Sequence, residues 1–474
     1  MKSNDKNTRE DQRDFDLNHL SSFAKSRGFI YQSSAIYGGF PAVYDYAHYG
    51  VLLKNNIQKA WWENMVKRQD VFGLDSAIFM HPMTWKASGH VDSFADPEID
   101  CKNCNARMRV DHLLEPLGYE DVDRMTIEEV NTLLEEIRND SEKSKLLKCQ
   151  KCGSTDLTNA KRFELLVKSN LGSPTSDLTN ANITYLRGET CQGIYLNYKN
   201  YIQNLRAQIP FGIAQVGKAF RNEIVARQFT FRQREFTQME FQYFIHPDDT
   251  EKYYDYWKEQ RLDWYSKELG IPQDKIKIKP HTKLAHYAKK AEDITFFFRS
   301  LNRFEEVEGL HQRGDWDLSQ HQKFSKEKLD FFDQTRGERF IPHIVETSVG
   351  LDRLVLAVLD YGLHEEELED GSTRTVLKIK KELAPIRAAV FPLTKDEKLM
   401  KIAQDIYDKL SKDYFVEFDK SGSIGKRYRR QDEIGTPSCI TVDFDSLEDE
   451  TVTIRDRGTM KQKRVAIEEV AKHI

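Results

Sequence analysis

Long apolar runs, a leader-like N-terminus, a surplus of positive charge and abundant cysteine are all missing from this 474-residue chain. No apolar run approaches the roughly 18 residues that cross a bilayer, so no membrane helix is expected. The opening stretch MKSNDKNTREDQRDFD has no hydrophobic segment, so no secretory signal is expected and residues 1–16 read as a polar tail. Lys and Arg number 71 against 76 Asp and Glu, a net charge of −5. Contact with a polyanion must then come from local basic patches, not from the global field. Six cysteines without a signal segment point to a reducing, cytoplasmic setting and to metal ligation in place of disulfides. What is present suffices for a core: 39% hydrophobic residues, and a length that suggests about two to four domains.

Four of the cysteines form two pairs, Cys101-Lys-Asn-Cys104 and Cys149-Gln-Lys-Cys152. This spacing lets two thiolates of a tight turn grip one Zn²⁺, and two such knuckles complete a tetrahedron. Four thiolates leave no position open for chemistry, so such a site is structural. A redox pair and a site that stays empty are the alternatives. Between the pairs, DRMTIEEVNTLLEEIRND reads as a helix starting at Thr126, with Glu129 in the capping-box position. Residues 98–160 form an insertion on this reading. Cys191 and Cys439 are isolated and read as buried thiols.

Leu17 to Gly28 reads as a short helix. In VLLKNNIQKAWWENMV, Leu53, Ile57, Trp61 and Met65 recur four apart, the spacing of one helix face. The stretch from Gly217 to Phe244 reads as a strand, a loop carrying Arg227, Arg232 and Arg234, and a returning strand. Alternation places Phe236, Gln238, Glu240 and Gln242 on one side, and Thr237, Met239, Phe241 and Tyr243 on the other. Guanidiniums at a turn suit phosphate oxygens, an aromatic ring suits a base, and a carboxylate suits an amino group. Further on, a strand ends at Glu346-Thr347-Ser348, Gly350 breaks it, and Asp352-Arg353 opens an apolar helix. An arginine in a first helical turn opposes the dipole, and a bound phosphate would supply the countercharge.

After residue 380 the composition shifts. IRAAVFPL reads as a strand, the segment with Leu399, Ile402, Ile406 and Leu410 as an amphipathic helix, and VAIEEVAKHI as a closing helix. This alternation indicates a separate α/β domain. Within it, Lys426, Arg427, Arg429 and Arg430 surround Tyr428, a basic aromatic patch that suits single-stranded RNA.

The pattern Phe220-Arg221-x-Glu223, loop, Arg232-x-x-x-Phe236-x-x-x-Glu240 resembles motif 2 of the class II aminoacyl-tRNA synthetases. GKAFRNE, REFTQME, DSAIFMHPMTWKASGHVDSF, LRGETCQG and IPHIVETSVGLDR resemble the dimeric glycyl members of that family. The resemblance covers the chain from about residue 17 onward. It implies an α+β fold: a class II antiparallel β-sheet flanked by helices over 17–380, with the small zinc-knuckle insertion at 98–160. A C-terminal α/β anticodon-binding domain at 381–474 follows. It implies a homodimer joined through the helix containing Trp61. It implies glycine, ATP and tRNA(Gly) as substrates, with Mg²⁺, and adenylate formation followed by transfer to the tRNA 3′ end. No editing domain is expected.

Carried over by the same resemblance, Arg221 and Arg353 are the catalytic pair. Arg109, Glu189, Glu240, Glu346 and Ser348 are assigned to glycine. Arg221, Asn222, Glu223, Phe231, Arg232, Phe236, Glu306, Val307, Gly350 and Arg353 are assigned to ATP. Cys101, Cys104, Cys149 and Cys152 are the metal ligands. Glu305, Glu306 and Glu308 match a carboxylate-rich strand, and alternation puts Glu306 and Glu308 on one face suited to Mg²⁺. Two other readings are another class II synthetase, and a synthetase-like accessory protein that binds nucleic acid without catalysis.

Overall fold

The computed structural model describes residues 15–119, 122, 125–171, 183–223, 229–282, 284 and 288–474. Residues 1–14, most of the polar tail, and Arg227 lie outside the described residues. Phe15 and Asp16 are already built into the fold: Phe15 packs on the core, and Asp16 accepts from His19 N at 2.8 Å to cap the first helix. Among the described residues, no helix is long and apolar enough to cross a membrane.

The centre is a seven-stranded sheet. Its strands are β1 (Val71–Leu74), β2 (Phe211–Phe220), β3 (Glu235–Ile245), β4 (Ile276–Pro280), β5 (Lys290–Phe298), β6 (Arg303–Gly314) and β7 (His343–Gly350). The spatial order is β4-β5-β6-β7-β3-β2-β1, antiparallel except for the parallel edge pair β1–β2. Helices α1 (Leu17–Ser26), α2 (His48–Val66), α3 (Thr250–Trp264) and α4 (Leu351–Gly362) belong to the body around it. Met239, Phe241 and Tyr243 of β3 enter the main core with Trp257 of α3 and Leu354 and Val355 of α4. On α2, Leu53, Ile57, Trp61 and Met65 are buried, as the spacing of four requires. The opposite face of β3 turns Gln238, Glu240 and Gln242 toward the functional side.

One strand departs from simple alternation. Across β5 and β6, Ile294 pairs with Glu308 but Thr295 pairs with Glu306, so β6 carries one extra residue. This bulge reverses the side-chain sequence on either side of Val307. Glu308 turns to the helix side, fully buried, where Arg261 Nε donates to it at 3.0 Å and Tyr265 Oη at 2.5 Å. The expectation that Glu306 and Glu308 share a face is therefore overturned.

The insertion has a three-stranded sheet of Arg107–Arg109, Ala95–Asp100 and Lys161–Glu164, and the helix Ile127–Asn139. Thr126 and Glu129 form the reciprocal cap: Glu129 N donates to Thr126 Oγ1 at 3.3 Å, and Thr126 N to Glu129 at 2.8 Å.

The C-terminal unit is a five-stranded sheet. Ala388–Pro392 lies second from one edge, between Val416–Phe418 and the central strand Ser438–Val442 and parallel to both. The helix Glu397–Leu410 buries Leu399, Ala403, Ile406 and Leu410 against it. The last segment differs from expectation. Val465 and Ala466 complete a strand, and Ile467–His473 winds as a 3₁₀ helix. The basic patch also differs. On the helix Ile424–Ile434, Arg427 shares the inner face with Gln431 and Ile434. It is buried and donates to the carbonyls of Pro392 and Gly422. Tyr428 is bonded to Thr441, which leaves Lys426, Arg429 and Arg430 outside.

Candidate active site

Register brings the polar groups together. On β3 and β7, Glu240 pairs with Ser348 and Gln242 with Glu346. On β6 and β7, His311 pairs with Glu346. Glu189 comes from the segment before the helix Cys191–Leu205, which Arg187 fixes. Arg187 Nε donates to Lys218 O at 2.6 Å and Nη1 to Ser76 O at 2.8 Å. A Cβ on Gly217 would sit 2.1 Å from the Arg187 guanidinium, so a side chain there would displace Arg187 from these bonds.

The carboxylates in this cluster are compensated unequally. Glu346 accepts from Arg313 Nη1 at 2.9 Å and from Gln242 at 2.7 Å, and His311 Nδ1 lies 2.8 Å away. Burial pushes the Glu346 carboxyl up, but Arg313 and His311 outweigh it and hold it at about 2. Glu189 lies 3.3 Å from His90 Nε2 and accepts from Gln192 and from the Cys191 thiol, each at 2.9 Å. Burial again works against ionisation, but His90 and Arg313 keep Glu189 well below its usual value. Glu240 has neutral donors: Ser348 at 2.9 Å, Thr190 at 3.2 Å and Gln242 at 2.7 Å. Burial, then the charges of Glu346 and Glu189, push it well above the usual carboxylate range. The pocket therefore concentrates negative charge and places the most easily held proton on Glu240.

Beside it stands a cationic half. The Arg221 guanidinium lies 5.2 Å from the Phe94 ring and 5.3 Å from the Phe236 ring, and Nε donates to Gly188 O at 3.0 Å. Arg353, in the first turn of α4, sits 4.5 Å over the Phe231 ring. Its Nη1 is 3.1 Å from the Glu306 carboxylate and donates to Glu306 O at 2.8 Å; its Nε donates to Phe231 O at 3.2 Å. The countercharge to this first-turn arginine is thus Glu306. Partial burial opposes ionisation of Glu306, but Arg353 and then Arg221 outweigh it and keep it below its usual value. Gly350 caps α4, and a Cβ there would only touch the Arg353 stem at 3.5 Å.

Other expected site residues stand apart from the carboxylate cluster. Arg109 donates to Asp96 at 2.6 Å and to Asp111 at 2.7 Å within the insertion; Glu223 also acts on its charge. Asn222 donates its backbone N–H to Leu165 O at 2.8 Å, and Glu223 O accepts from Arg234 at 2.8 Å. Arg232 is half-buried and acts on Asp96 and His112. The Val307 side chain is in the main core. Cys191 is buried as expected, yet its thiol belongs to the Glu189 cluster. Arg313 was not anticipated; it is buried and also grips Asp317 at 2.7 and 3.0 Å. Once the bulge is counted, Arg313 shares the Glu306 side of β6 with His311.

In the insertion, the Sγ atoms of Cys101, Cys104, Cys149 and Cys152 lie within 4.8 Å of one another. The pairs Cys101–Cys152 and Cys104–Cys149 are each 3.6 Å apart. A tetrahedral zinc with sulfur at about 2.3 Å sets its ligands about 3.8 Å apart, so the donor set fits.

The sheet, the two arginines and the C-terminal α/β unit define a class II aminoacyl-tRNA synthetase. Residues 176–361 match the tRNA synthetase class II core domain (G, H, P, S and T), and residues 387–474 match an anticodon binding domain. The fold is shared with a prolyl-tRNA synthetase from Cryptosporidium parvum complexed with L-proline and AMP. That likeness has a TM-score of 0.60 and 14% identity, covering 96% of this chain and 74% of the other. Glycine–tRNA ligase from Treponema denticola is 45% identical over 466 residues, 97% of this chain and 96% of its own length. The enzymes of that name from Geobacillus kaustophilus and Borrelia garinii are 45% and 44% identical, each covering at least 96% of both chains. The chain belongs to the glycine–tRNA ligase family.

Proposed function

We propose that this chain, acting in the cytoplasm, joins glycine to ATP as glycyl-adenylate and passes the glycyl group to the 3′ end of tRNA(Gly). The observation that carries the assignment of roles is the meeting of Glu189, Glu240 and Glu346 beside the Arg221–Phe236 pair. The three carboxylates would surround one ammonium. Ser348, hydrogen-bonded to Glu240, would lie against the Cα hydrogens and leave no room for a β-carbon. Phe236 would stack on adenine. Arg221 would take the α-phosphate, Arg232 the outer phosphates, and Arg353 would exchange Glu306 for phosphate oxygens.

A glycine carboxylate oxygen attacks the α-phosphorus in line, and the bond to pyrophosphate breaks. Positioning and charge neutralisation suffice, with no protein nucleophile. Magnesium bound on the phosphates supplies further positive charge; Glu306 would hold it, since Glu308 is committed to Arg261. The terminal tRNA hydroxyl then attacks the mixed anhydride, releasing AMP. As the family resemblance implies, Arg109, which is bonded to Asp96 and Asp111, would reach the glycine, and Asn222 and Glu223 would line the ATP site. Glycine-dependent ATP–pyrophosphate exchange tests the reading; exchange with serine or threonine but not with glycine would end it.

Glu240 gives this pocket a pH dependence. Its folded-state value is raised above the usual 4.5, so the free protein holds a proton that the ammonium must displace. Glycine affinity is then expected to rise with pH above 4.5, by up to about tenfold per unit, until Glu240 ionises unaided. The stability of the free protein falls over the same window, because the folded state binds more protons than the unfolded one. Calorimetry in buffers of different ionisation heat should detect proton release. Identical heats in all buffers would refute it.

The four thiolates would hold one zinc ion that closes the insertion. Metal analysis should return about one zinc per chain, and Cys101→Ser should abolish it. We also assign a homodimer to the α2 side of the body. Ile36 and Tyr37 are each 87% exposed, beside the exposed Phe40 and Tyr31, an apolar surface suited to a second copy. Sedimentation is expected to show two chains per particle; a monomer at micromolar concentration would contradict this.

A further inference from the structure

Arg353 is held on its site side by Glu306 and Phe231, but its neighbour Asp352 is held from beneath the sheet. Asp352 is 3% exposed and occupies the first turn of α4. Among the described residues, each hydrogen bond it accepts ties that turn to another element. Lys54 Nζ, from α2, donates to Asp352 Oδ1 at 2.7 Å and to Thr237 Oγ1 of β3 at 2.9 Å. Tyr46 Oη donates to Asp352 Oδ1 at 2.6 Å, and Thr237 N donates to Oδ2 at 2.6 Å. The Lys54 ammonium also lies 4.3 Å from the centre of the Tyr46 ring. Lys54 itself is 9% exposed, and Lys218 and Glu235 are further charges that act on it.

A buried lysine is expensive unless its charge is paired and its donors are satisfied. Here the charge has a geometric consequence. The carboxylate of Asp352 already favours the positive end of α4, so the helix start alone would accept it. Lys54 adds a fixed point on a different helix: bonded to both Asp352 and Thr237, it ties the first turn of α4 to α2 and to β3, beside the direct bond from Thr237 N. The residue after Asp352 on that turn is Arg353. A shift of the turn would move the guanidinium away from the position between Phe231 and Glu306.

We propose that Lys54 is a positioning residue for the reaction: through Asp352 it sets the register of α4 on β3 and thereby aims the Arg353 guanidinium at the triphosphate. Lys54 touches no substrate. Tyr46 assists by filling the second approach to the same carboxylate oxygen. The inference rests on the assignment of Arg353 to ATP, and the test separates the two.

The test is ATP–pyrophosphate exchange by the full chain, with ATP and glycine varied independently. Lys54→Met keeps the length of the side chain and removes its charge. It is expected to lower kcat/KM for ATP by about 10–100-fold while KM for glycine changes less than about twofold. In an Arg353→Ala background the same substitution is expected to change the rate by less than about threefold, since the residue it aims is gone. Tyr46→Phe, which removes a single hydroxyl and preserves the packing, should show a smaller loss of the same kind. It remains informative where Lys54→Met fails to fold. The double variant Lys54→Met/Asp352→Asn, which neutralises both charges, should recover folding without recovering ATP kinetics. The inference is overturned by unchanged ATP kinetics in folded Lys54→Met and Tyr46→Phe proteins. Equal losses with and without Arg353, or parallel losses for glycine and ATP, also overturn it. If Arg353→Ala alone leaves exchange unchanged, it is the role of Arg353 that fails.

Discussion

Arg221→Ala is expected to slow glycine-dependent ATP–pyrophosphate exchange by about 10²–10³-fold, the usual loss when one preorganised donor to a developing oxyanion is removed. The guanidinium lies between Phe94 and Phe236, and its Nε bonds to Gly188 O. Those contacts orient it but contribute little to the core, because the residue is half-buried. Stability is therefore expected to change little, and the loss should fall on the chemical step. Steady-state exchange together with thermal unfolding separates these effects. A variant with unaltered exchange, or one that merely unfolds, contradicts the role given to Arg221.

Arg313→Met has the opposite character. Arg313 is the shared cation of Glu346 and Asp317, and all three are buried. Removing it strands two carboxylates, with an expected loss of about 3–5 kcal/mol of stability. The sign of its pH dependence follows from Glu346, held at about 2 by Arg313 and His311 against the effect of burial. That depressed value stabilises the folded protein above the usual 4.5, and the benefit is lost as pH falls toward 2. The stability gap between wild type and variant should therefore narrow on acidification through this window. Denaturant titrations at pH 7 and about pH 3 measure it. Glycine affinity should fall with it, because Glu346 loses its fixed orientation. A gap that widens in acid contradicts the assignment of Arg313 as the counterion.

The difference between these arginines also shows what could be read from the chain. Arg221 was legible because it stands in a local pattern: strand, loop, returning strand, with Phe236 and Glu240 four residues apart. The period of two in β3 correctly divided Gln238, Glu240 and Gln242 from Met239, Phe241 and Tyr243. The paired cysteines and the cap at Thr126 were equally local. Arg313 was hidden because its meaning depends on Glu346 across the sheet and on a bulge at Val307 that only the pairing with β5 creates. The same bulge defeated the alternation argument for Glu308. Arg427 misled for a related reason: a run of basic residues on a helix does not state which of them the fold will turn inward.

Local sequence also could not show how charge is distributed among three similar carboxylates. Glu189, Glu240 and Glu346 all read as acidic groups near one ammonium. Their neighbours distinguish them: His90 for Glu189, Arg313 and His311 for Glu346, and neutral donors for Glu240. His90 lies 99 residues from Glu189, Arg313 33 from Glu346 and Ser348 108 from Glu240, and only the assembled sheet brings them within reach.

The most direct test of the account is a crystal structure of the full chain with a non-hydrolysable analogue of glycyl-adenylate. The account predicts the ammonium within about 3 Å of Glu240 and Glu346 and near Glu189, a distance typical of charged hydrogen bonds. It also predicts the adenine against Phe236 and the phosphate on Arg221. An ammonium bound away from all three carboxylates, or a phosphate that Arg221 does not touch, contradicts it.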